Sequence, residues 1–232
     1  MSTLVIDALS KDFGGVHAVK DVSVSVDRGR ILGLIGPNGS GKTTLLNMIG
    51  GTIAPTAGRV LLDGADVSRL TPHRKVRRGI ARTFQTTRLL ADWTVRETLE
   101  LARRARPDAP SAERTARIVG VEDDLDRVGS SLPSAVQRLV MIATALAAAP
   151  QVVLLDEPAV GMDVAETDHL QDVVARVRDE LEASVIVVEH NMRFLMPLAD
   201  EVVVMASGSV LSAGTPEHVR NDPAVIAAYL GS

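Results

Sequence analysis

Three short segments of the chain, at 30–35, 151–156 and 184–189, are apolar almost without interruption (Ile31-Leu32-Gly33-Leu34-Ile35, Val152-Val153-Leu154-Leu155, Val185-Ile186-Val187-Val188). Runs of this length and β-branched content predict strands buried on both faces. Residues 3–30 behave differently. Leu4 and Ile6, then Val22, Val24 and Val26, alternate with polar positions around Gly14-Gly15 and Asp27-Arg28-Gly29, which predicts antiparallel strands. Pro55-Thr56-Ala57-Gly58 reads as a turn before a strand at 59–62 that stops at Asp63-Gly64, and a basic helical turn at 73–78 closes on Gly79 before a strand at 80–85.

Helical spacing appears at 44–49, at 95–127 (split in two by Pro107 and Pro110), at 133–149 and at 165–181. In the third of these, Leu139, Ile142, Ala143 and Leu146 share a face, and Pro133 suits a first turn. A hairpin is expected from 202–205 to 210–212 across Ser207-Gly208-Ser209, followed by a helical tail over 216–230.

Between the first buried strand and the first helix lies Gly36-Pro37-Asn38-Gly39-Ser40-Gly41-Lys42-Thr43-Thr44, the pattern G-x-x-x-x-G-K-[ST]. Gly36, Gly39 and Gly41 let the backbone bend and approach a polyphosphate without a Cβ in the way. The N–H groups of the loop and of the first helical turn then point at phosphate, with the helix dipole behind them. Lys42 is placed for the β and γ oxygens, and the Thr43 hydroxyl for Mg²⁺. Strand, loop and helix stand in the order that this chemistry requires, so the segment reads as a nucleotide-triphosphate site.

Asp156 and Glu157 end the second buried strand. An Asp there can hold Mg²⁺ through water, and Glu157 faces the same crevice, where it can polarise an attacking water. Gln85 ends a strand and His190 follows the third buried one, where an imidazole could contact the γ-phosphate. The basic stretch Arg69, His73, Arg74, Lys75, Arg77, Arg78 and Arg82 reads first as a solvated helix face, with lipid headgroups or an acidic loop of a membrane partner as the sharper alternative.

Composition narrows the rest. A chain of 232 residues with 46% hydrophobic and 2% aromatic residues must build its core from aliphatic side chains, and with no cysteine it has neither disulfides nor Cys-ligated metal. A net charge of −4 argues against a nucleic-acid partner. Residues 1–7 carry no secretory leader pattern, and the longest apolar candidate, 139–155, is interrupted by Pro150 and falls short of a membrane span.

Taken in order, the phosphate loop, Gln85, Asp156-Glu157, Asp163 and His190 resemble the ATPase subunits of ABC transporters over essentially the whole chain. Phe13-Gly14-Gly15, Gly79-Ile80-Ala81-Arg82-Thr83-Phe84-Gln85, Glu189-His190-Asn191-Met192 and Ala228-Tyr229-Leu230-Gly231 are similar to the branched-chain amino acid importers among them. The resemblance implies an α/β fold: a P-loop NTPase core of the ABC ATPase type with an antiparallel β subdomain and an inserted helical subdomain. It implies one cassette over 1–232, with 1–85 and 150–232 as the core and β subdomain and 86–149 as the helical subdomain. It implies ATP and Mg²⁺ as cofactors, with Phe13 stacking on adenine, Gly36 to Thr44 cradling phosphate, and Thr43, Gln85 and Asp156 meeting the metal. Glu157 would activate water, His190 would hold the γ-phosphate, and Asp163 would sit in the loop that crosses to a second subunit.

The implied partners are membrane-spanning permease subunits, a second ABC ATPase subunit and, indirectly, an extracytoplasmic solute-binding protein. The implied location is the cytoplasmic face of the membrane, held peripherally. One element departs from the family. Where its members carry Leu-Ser-Gly-Gly-Gln, this chain has Leu132-Pro133-Ser134-Ala135-Val136, ahead of Gln137-Arg138, and the helical subdomain is short. A heterodimer with an intact-signature partner is therefore expected over a homodimer. A low-turnover nucleotide-binding subunit is an alternative on the same ground. An exporter ATPase of the lipopolysaccharide type is kept open by Pro72-His73-Arg74, whereas Arg82-Thr83-Phe84-Gln85 favours import. A non-transport ABC ATPase would call for a coiled-coil insert or a second ATPase domain, and the sequence has neither.

Overall fold

The computed structural model describes residues 2–83, 89, 92–106 and 108–230. The alternating N-terminal segment forms β1 (Ser2–Phe13) and β2 (Val16–Asp27). Five buried or half-buried strands follow: β3 (Ile31–Ile35), β6 (Ile80–Arg82), β7 (Val152–Asp156), β8 (Ser184–Val188) and β9 (Glu201–Ala206). They join β10 (Ser209–Gly214) in one sheet of order β10-β9-β3-β8-β7-β6. All its neighbours pair in parallel except the β9–β10 hairpin at the edge. β1 and β2 form a second, antiparallel sheet with β4 (Ala57–Leu62) and β5 (Ala65–Asp66), in the order β2-β1-β4-β5.

Side chains of the parallel strands point alternately into two cores. Leu32, Leu34, Leu154, Ile186, Val188 and Val203 face one core, which they share with Leu4, Ile6, Val60 and Leu62 of the antiparallel sheet. Helix α1 (Lys42–Gly50) fills the space between, through Leu45, Leu46, Met48 and Ile49. Ile31, Ile35, Val153, Leu155, Val185 and Val187 face the other core. They are covered there by helices that include α5 (Ser134–Leu146) and α6 (Val164–Leu181). The first helix is thus clamped between two sheets and its phosphate-facing end is held rigidly.

Several boundaries differ from those that pattern predicts. Helices α3 (Val95–Arg103) and α4 (Ala112–Val119) form on either side of the two prolines. Thr94 and Glu97 make a capping box on α3, and the Ser111 hydroxyl caps α4. Pro133 is not in a first turn but at the N-cap of α5, with extended ψ 151°. The tail is two helices, α8 (Pro216–Asn221) and α9 (Pro223–Leu230). Asp222 separates them, accepting from Ser212 Oγ at 2.6 Å and from Ala224 N–H at 2.8 Å. Pattern also misses α7 (Met192–Leu195), a single turn capped by Asn191. Its Leu195 packs where a Cβ on Gly33 would stand, 2.8 Å from Leu195 Cδ2, so the glycine inside β3 makes room for it.

The basic stretch is not one solvated face. Helix α2 (Pro72–Arg78) exposes His73, Arg74, Arg77 and Arg78 but turns Lys75 wholly inward. Its ammonium donates to Met48 O at 3.0 Å and Ile49 O at 2.7 Å, two carbonyls of the last turn of α1. A cation there satisfies orphan carbonyls and complements the negative end of the dipole. Burial nevertheless draws the Lys75 ammonium down to about 8, against 10.5 when solvated.

The unfolded chain therefore binds more protons at this site between those two values, so stability should rise with pH across that window. Below pH 8 the burial cost is present in full. Comparing urea midpoints of wild type and Lys75→Met from pH 7.5 to 10, the difference should move in favour of wild type by roughly 2–3 kcal/mol. A difference that is flat with pH would mean that the ammonium is not desolvated as described.

Candidate active site

Parallel register places the site. Leu34 lies opposite Val188, and Asp156 opposite Val188 from the other side, so β3, β8 and β7 end in line at their carboxyl edge. Ligands of open α/β sheets bind at such an edge. The segment after β3 is the glycine-rich loop, that after β7 begins with Glu157, and that after β8 carries His190. Lys42, Asp156, Glu157 and His190, far apart in the chain, therefore converge.

Two loop glycines are dictated by space as well as by backbone. At Gly36 (φ 145°) a Cβ would lie 2.1 Å from Met205 O, and at Gly41 (φ 104°) 2.5 Å from Ala18 O. Gly39 (φ 76°) faces open space and is required only for its left-handed backbone. No side chain caps α1, which begins at Lys42, so the N–H groups of its first turn are directed to the loop's concave side. Lys42 folds over that side and donates to Gly36 O at 2.7 Å, Pro37 O at 3.0 Å and Ser40 Oγ at 3.5 Å. Burial lowers the pKa of its ammonium, while Glu157 and then Asp156 oppose that shift.

Asp156 is 3% exposed. Its Oδ2 accepts from Arg82 Nη2 at 2.8 Å, and Arg82 Nη1 donates to Asn47 Oδ1 on α1 at 2.5 Å. Its Oδ1 is buried with no hydrogen-bond partner among the described residues. An orphaned carboxylate oxygen at a phosphate loop fits a hard cation or the water around one. Among those residues no group of three or more His, Cys, Asp or Glu could hold a metal. A single buried carboxylate beside the glycine-rich loop suits Mg²⁺, which is commonly held by one carboxylate together with substrate phosphates. Thr43 is exposed at the start of α1.

Glu157 stands in left-handed backbone (φ 49°), and its N–H donates to Val188 O at 2.9 Å. Such a conformation in a non-glycine residue is strained and is found at functional sites. Its Oε1 lies 4.0 Å from His190 Nδ1, whose side chain is mostly exposed. Phe13 is at the tip of the β1–β2 hairpin, half exposed, with Lys11 Nζ 5.0 Å from its ring centre. Gln85, with Phe84, lies outside the described residues. Asp163 caps α6, its carboxylate accepting from Glu166 N–H at 2.9 Å in a capping box.

Three site residues escape sequence reasoning about roles. Arg82 is the ion partner of Asp156. Arg138, just after the degenerate signature, donates from Nη1 to Pro158 O at 2.8 Å and Val160 O at 2.5 Å. Glu189 is buried beside His190 and, among the described residues, accepts from the backbone N–H groups of Ala159, His190 and Asn191. For Arg82 and Glu189 the available signal was a charge inside an otherwise apolar strand or at its end, since such a group must be partnered when buried; Arg138, on helix α5, carried no such signal.

The residue profile of the ABC transporter family matches residues 19–160, and that of a branched-chain amino acid ATP-binding cassette transporter family matches residues 209–232. The chain is similar to the high-affinity branched-chain amino acid transport ATP-binding protein BraF of Pseudomonas aeruginosa, at 35% identity over 98% of this chain and 97% of the relative. It is also similar to the lipopolysaccharide export system ATP-binding protein LptB of Haemophilus influenzae, at 32% identity over 100% and 98%. The crystal structure of the ADP conformation of an ATP-binding cassette of an ABC transporter superposes with a TM-score of 0.90 at 28% identity, each chain covered fully.

The glycine geometry separates three substitutions. Gly36→Ala and Gly41→Ala should abolish measurable ATP binding, because the added carbon meets backbone oxygen. Gly39→Ala should cost only about 1 kcal/mol of loop conformation, a loss of less than tenfold. Nucleotide titration with a thermal melt of each variant reads both effects, and equal losses at all three positions would contradict the packing described.

Proposed function

The chain belongs to the ABC transporter family as an ATP-binding, ATP-hydrolysing cassette, and we propose that it powers an importer for branched-chain amino acids or a related small polar solute. The observation that carries the catalytic reading is the convergence of Lys42, Asp156, Glu157 and His190 at one sheet edge. Lys42 exchanges loop carbonyls for the β and γ oxygens, and Phe13 stacks on adenine. Thr43, Gln85 and, through water, Asp156 would hold Mg²⁺, which would supply charge neutralisation to the phosphates. Glu157 orients a water for in-line attack on the γ-phosphorus, and His190 holds the γ-phosphate. The choice of import is supported by the tail match at 209–232 and by the relatives named for branched-chain amino acid transport. The exporter-type relative matches at slightly lower identity.

The cassette is read as one domain, with residues 86–149 as its helical subdomain and residues 86–129 as the face that receives a membrane-spanning permease. A groove of about 610 Å³ supports this seat, lined from within that range by Leu89, Thr98, Leu101, Ala102, Arg104 and Ala105, and from outside it by α2, β6 and α5. No helix of the described residues is long and apolar enough to cross a membrane. The permease would then hold the chain peripherally at the cytoplasmic face, and a solute-binding protein would act only through that permease. ATP closes between this cassette and a second one, and the difference in affinity of open and closed dimers for ATP and ADP drives transport.

Glu157→Gln is the test of the catalytic reading. It should leave ATP binding intact and nearly stop turnover, whereas Lys42→Ala should weaken binding itself. Wild-type hydrolysis by the Glu157→Gln protein would remove Glu157 from its role.

A heterodimer is favoured by the N-terminus of α5. Pro133 occupies its N-cap, offering neither hydroxyl nor N–H, and no side chain caps the helix. Loss of one preorganised donor to a transferring phosphoryl costs about 2.7–4 kcal/mol, a rate factor of about 10²–10³. Restoring Ser, Gly, Gly and Gln at positions 133–136 should raise the ATPase rate of the chain alone by that factor. Equal rates, with dimerisation verified, would remove the reason for an unlike partner.

A further inference from the structure

Glu189 is among the most deeply buried ionisable residues of the chain, at 1% exposure with its side chain at 0%. A glutamate is almost never fully buried without a partner. No Lys or Arg within salt-bridge distance accompanies it among the described residues. Its hydrogen-bonded partners are backbone donors: Oε1 accepts from Ala159 N–H at 2.8 Å, and Oε2 from His190 N–H at 3.1 Å and Asn191 N–H at 3.2 Å. Among the described residues, the cationic candidate within salt-bridge distance is the His190 imidazole, 3.9 Å away and largely in solvent.

These contacts join two loops that leave adjacent parallel strands. One follows β7 and opens with Glu157; the other follows β8 and contains His190. Glu157 is strained (φ 49°) and held by Val188 O at its own N–H. Two residues on, the chain is held again by Glu189 at Ala159. The carboxylate therefore spans the pair of loops and connects to both within two residues of Glu157 and at His190 itself.

We propose that Glu189 is a positioning residue for hydrolysis, clamping the backbone after Glu157 to the backbone of His190 so that the two side chains keep a fixed separation across the site. This rests on the roles given above to Glu157 and His190. The chemistry demands a carboxylate specifically. Two acceptor oxygens serve three N–H donors, whereas the isosteric glutamine has one oxygen and one NH₂. In either amide orientation, at least one backbone N–H would face a donor.

Glu189→Gln should therefore fold, lower kcat at least tenfold and leave the ATP dissociation constant within about threefold, because the clamp does not touch the phosphate loop. In a His190→Ala background the same substitution should cost much less than in wild type, since both act through one separation. In the wild-type full-length chain, amide exchange at Ala159, His190 and Asn191 should be protected. That measurement decides the clamp even if the variant does not fold.

Rapid exchange at Ala159 in wild type, turnover of Glu189→Gln within twofold of wild type, ATP affinity falling in step with turnover, or losses that multiply with His190→Ala would each overturn the proposal. Silence of Glu189→Gln beside an inactive Glu157→Gln overturns this inference alone. An active Glu157→Gln overturns the reading on which it rests.

Discussion

Parallel pairing of β3, β8 and β7 is the constraint on which the molecule depends. The register that sets Asp156 opposite Val188 and Val188 opposite Leu34 brings three strand ends level. It can hold only because both faces of the sheet are covered by apolar side chains, since parallel strands have no solvent-tolerant face. Helix α1 provides the cover on one side and, following β3 across the glycine-rich loop, also holds that loop at the sheet edge. Core packing and site assembly are therefore one event. A shift of β7 by a single residue would send Asp156 to the opposite face of the sheet.

Charge inside this frame is handled by local pairing. Lys75 and Lys42 each spend their ammonium on backbone carbonyls, one closing the last turn of α1 and the other lying over the loop before it. Arg82 pairs with Asp156 and reaches Asn47 on α1, so that β6, α1 and β7 meet at one guanidinium. Glu189 uses backbone N–H groups instead. Breaking a buried pair costs more than the pair gains, because the survivor is left uncompensated. Arg82 and Asp156 are therefore coupled, and any metal ligation at Oδ1 is set against an Oδ2 already committed.

The segment from Pro158 to Val160 is tied from two directions, by Glu189 at the sheet edge and by Arg138 on α5. Helix α5 carries the altered Leu132 to Val136 segment at its start. The loop after Glu157 thus connects the candidate site to the start of α5, the segment proposed to face a second cassette. The two ties are made to main-chain groups, the Ala159 N–H on one side and the Pro158 and Val160 carbonyls on the other, and do not depend on which side chains occupy 133–136.

The sequence by itself determined the local elements and the phosphate loop. Apolar runs at 31–35 (with Gly33 inside), 152–155 and 185–188 read as strands buried on both sides, and Gly36 to Thr43 reads as a phosphate loop between strand and helix. Asp156 and Glu157 were legible because an acidic pair ends an apolar strand, and the family was legible because the whole ordered set recurs in it. Turns were less so: Asp222 divides the tail through a hydrogen bond to Ser212, which no local pattern contains. Lys75 and Arg82 looked like members of an exposed basic run. Only the approach of α2 and β6 to α1 turned those two inward, where carbonyls and a carboxylate were waiting. Glu189 was likewise one charge after a strand until the neighbouring loop delivered Ala159 N–H to it. Short-range pattern reports what each segment buries, but which groups meet inside depends on strand order and register, and these exist only once the chain has folded.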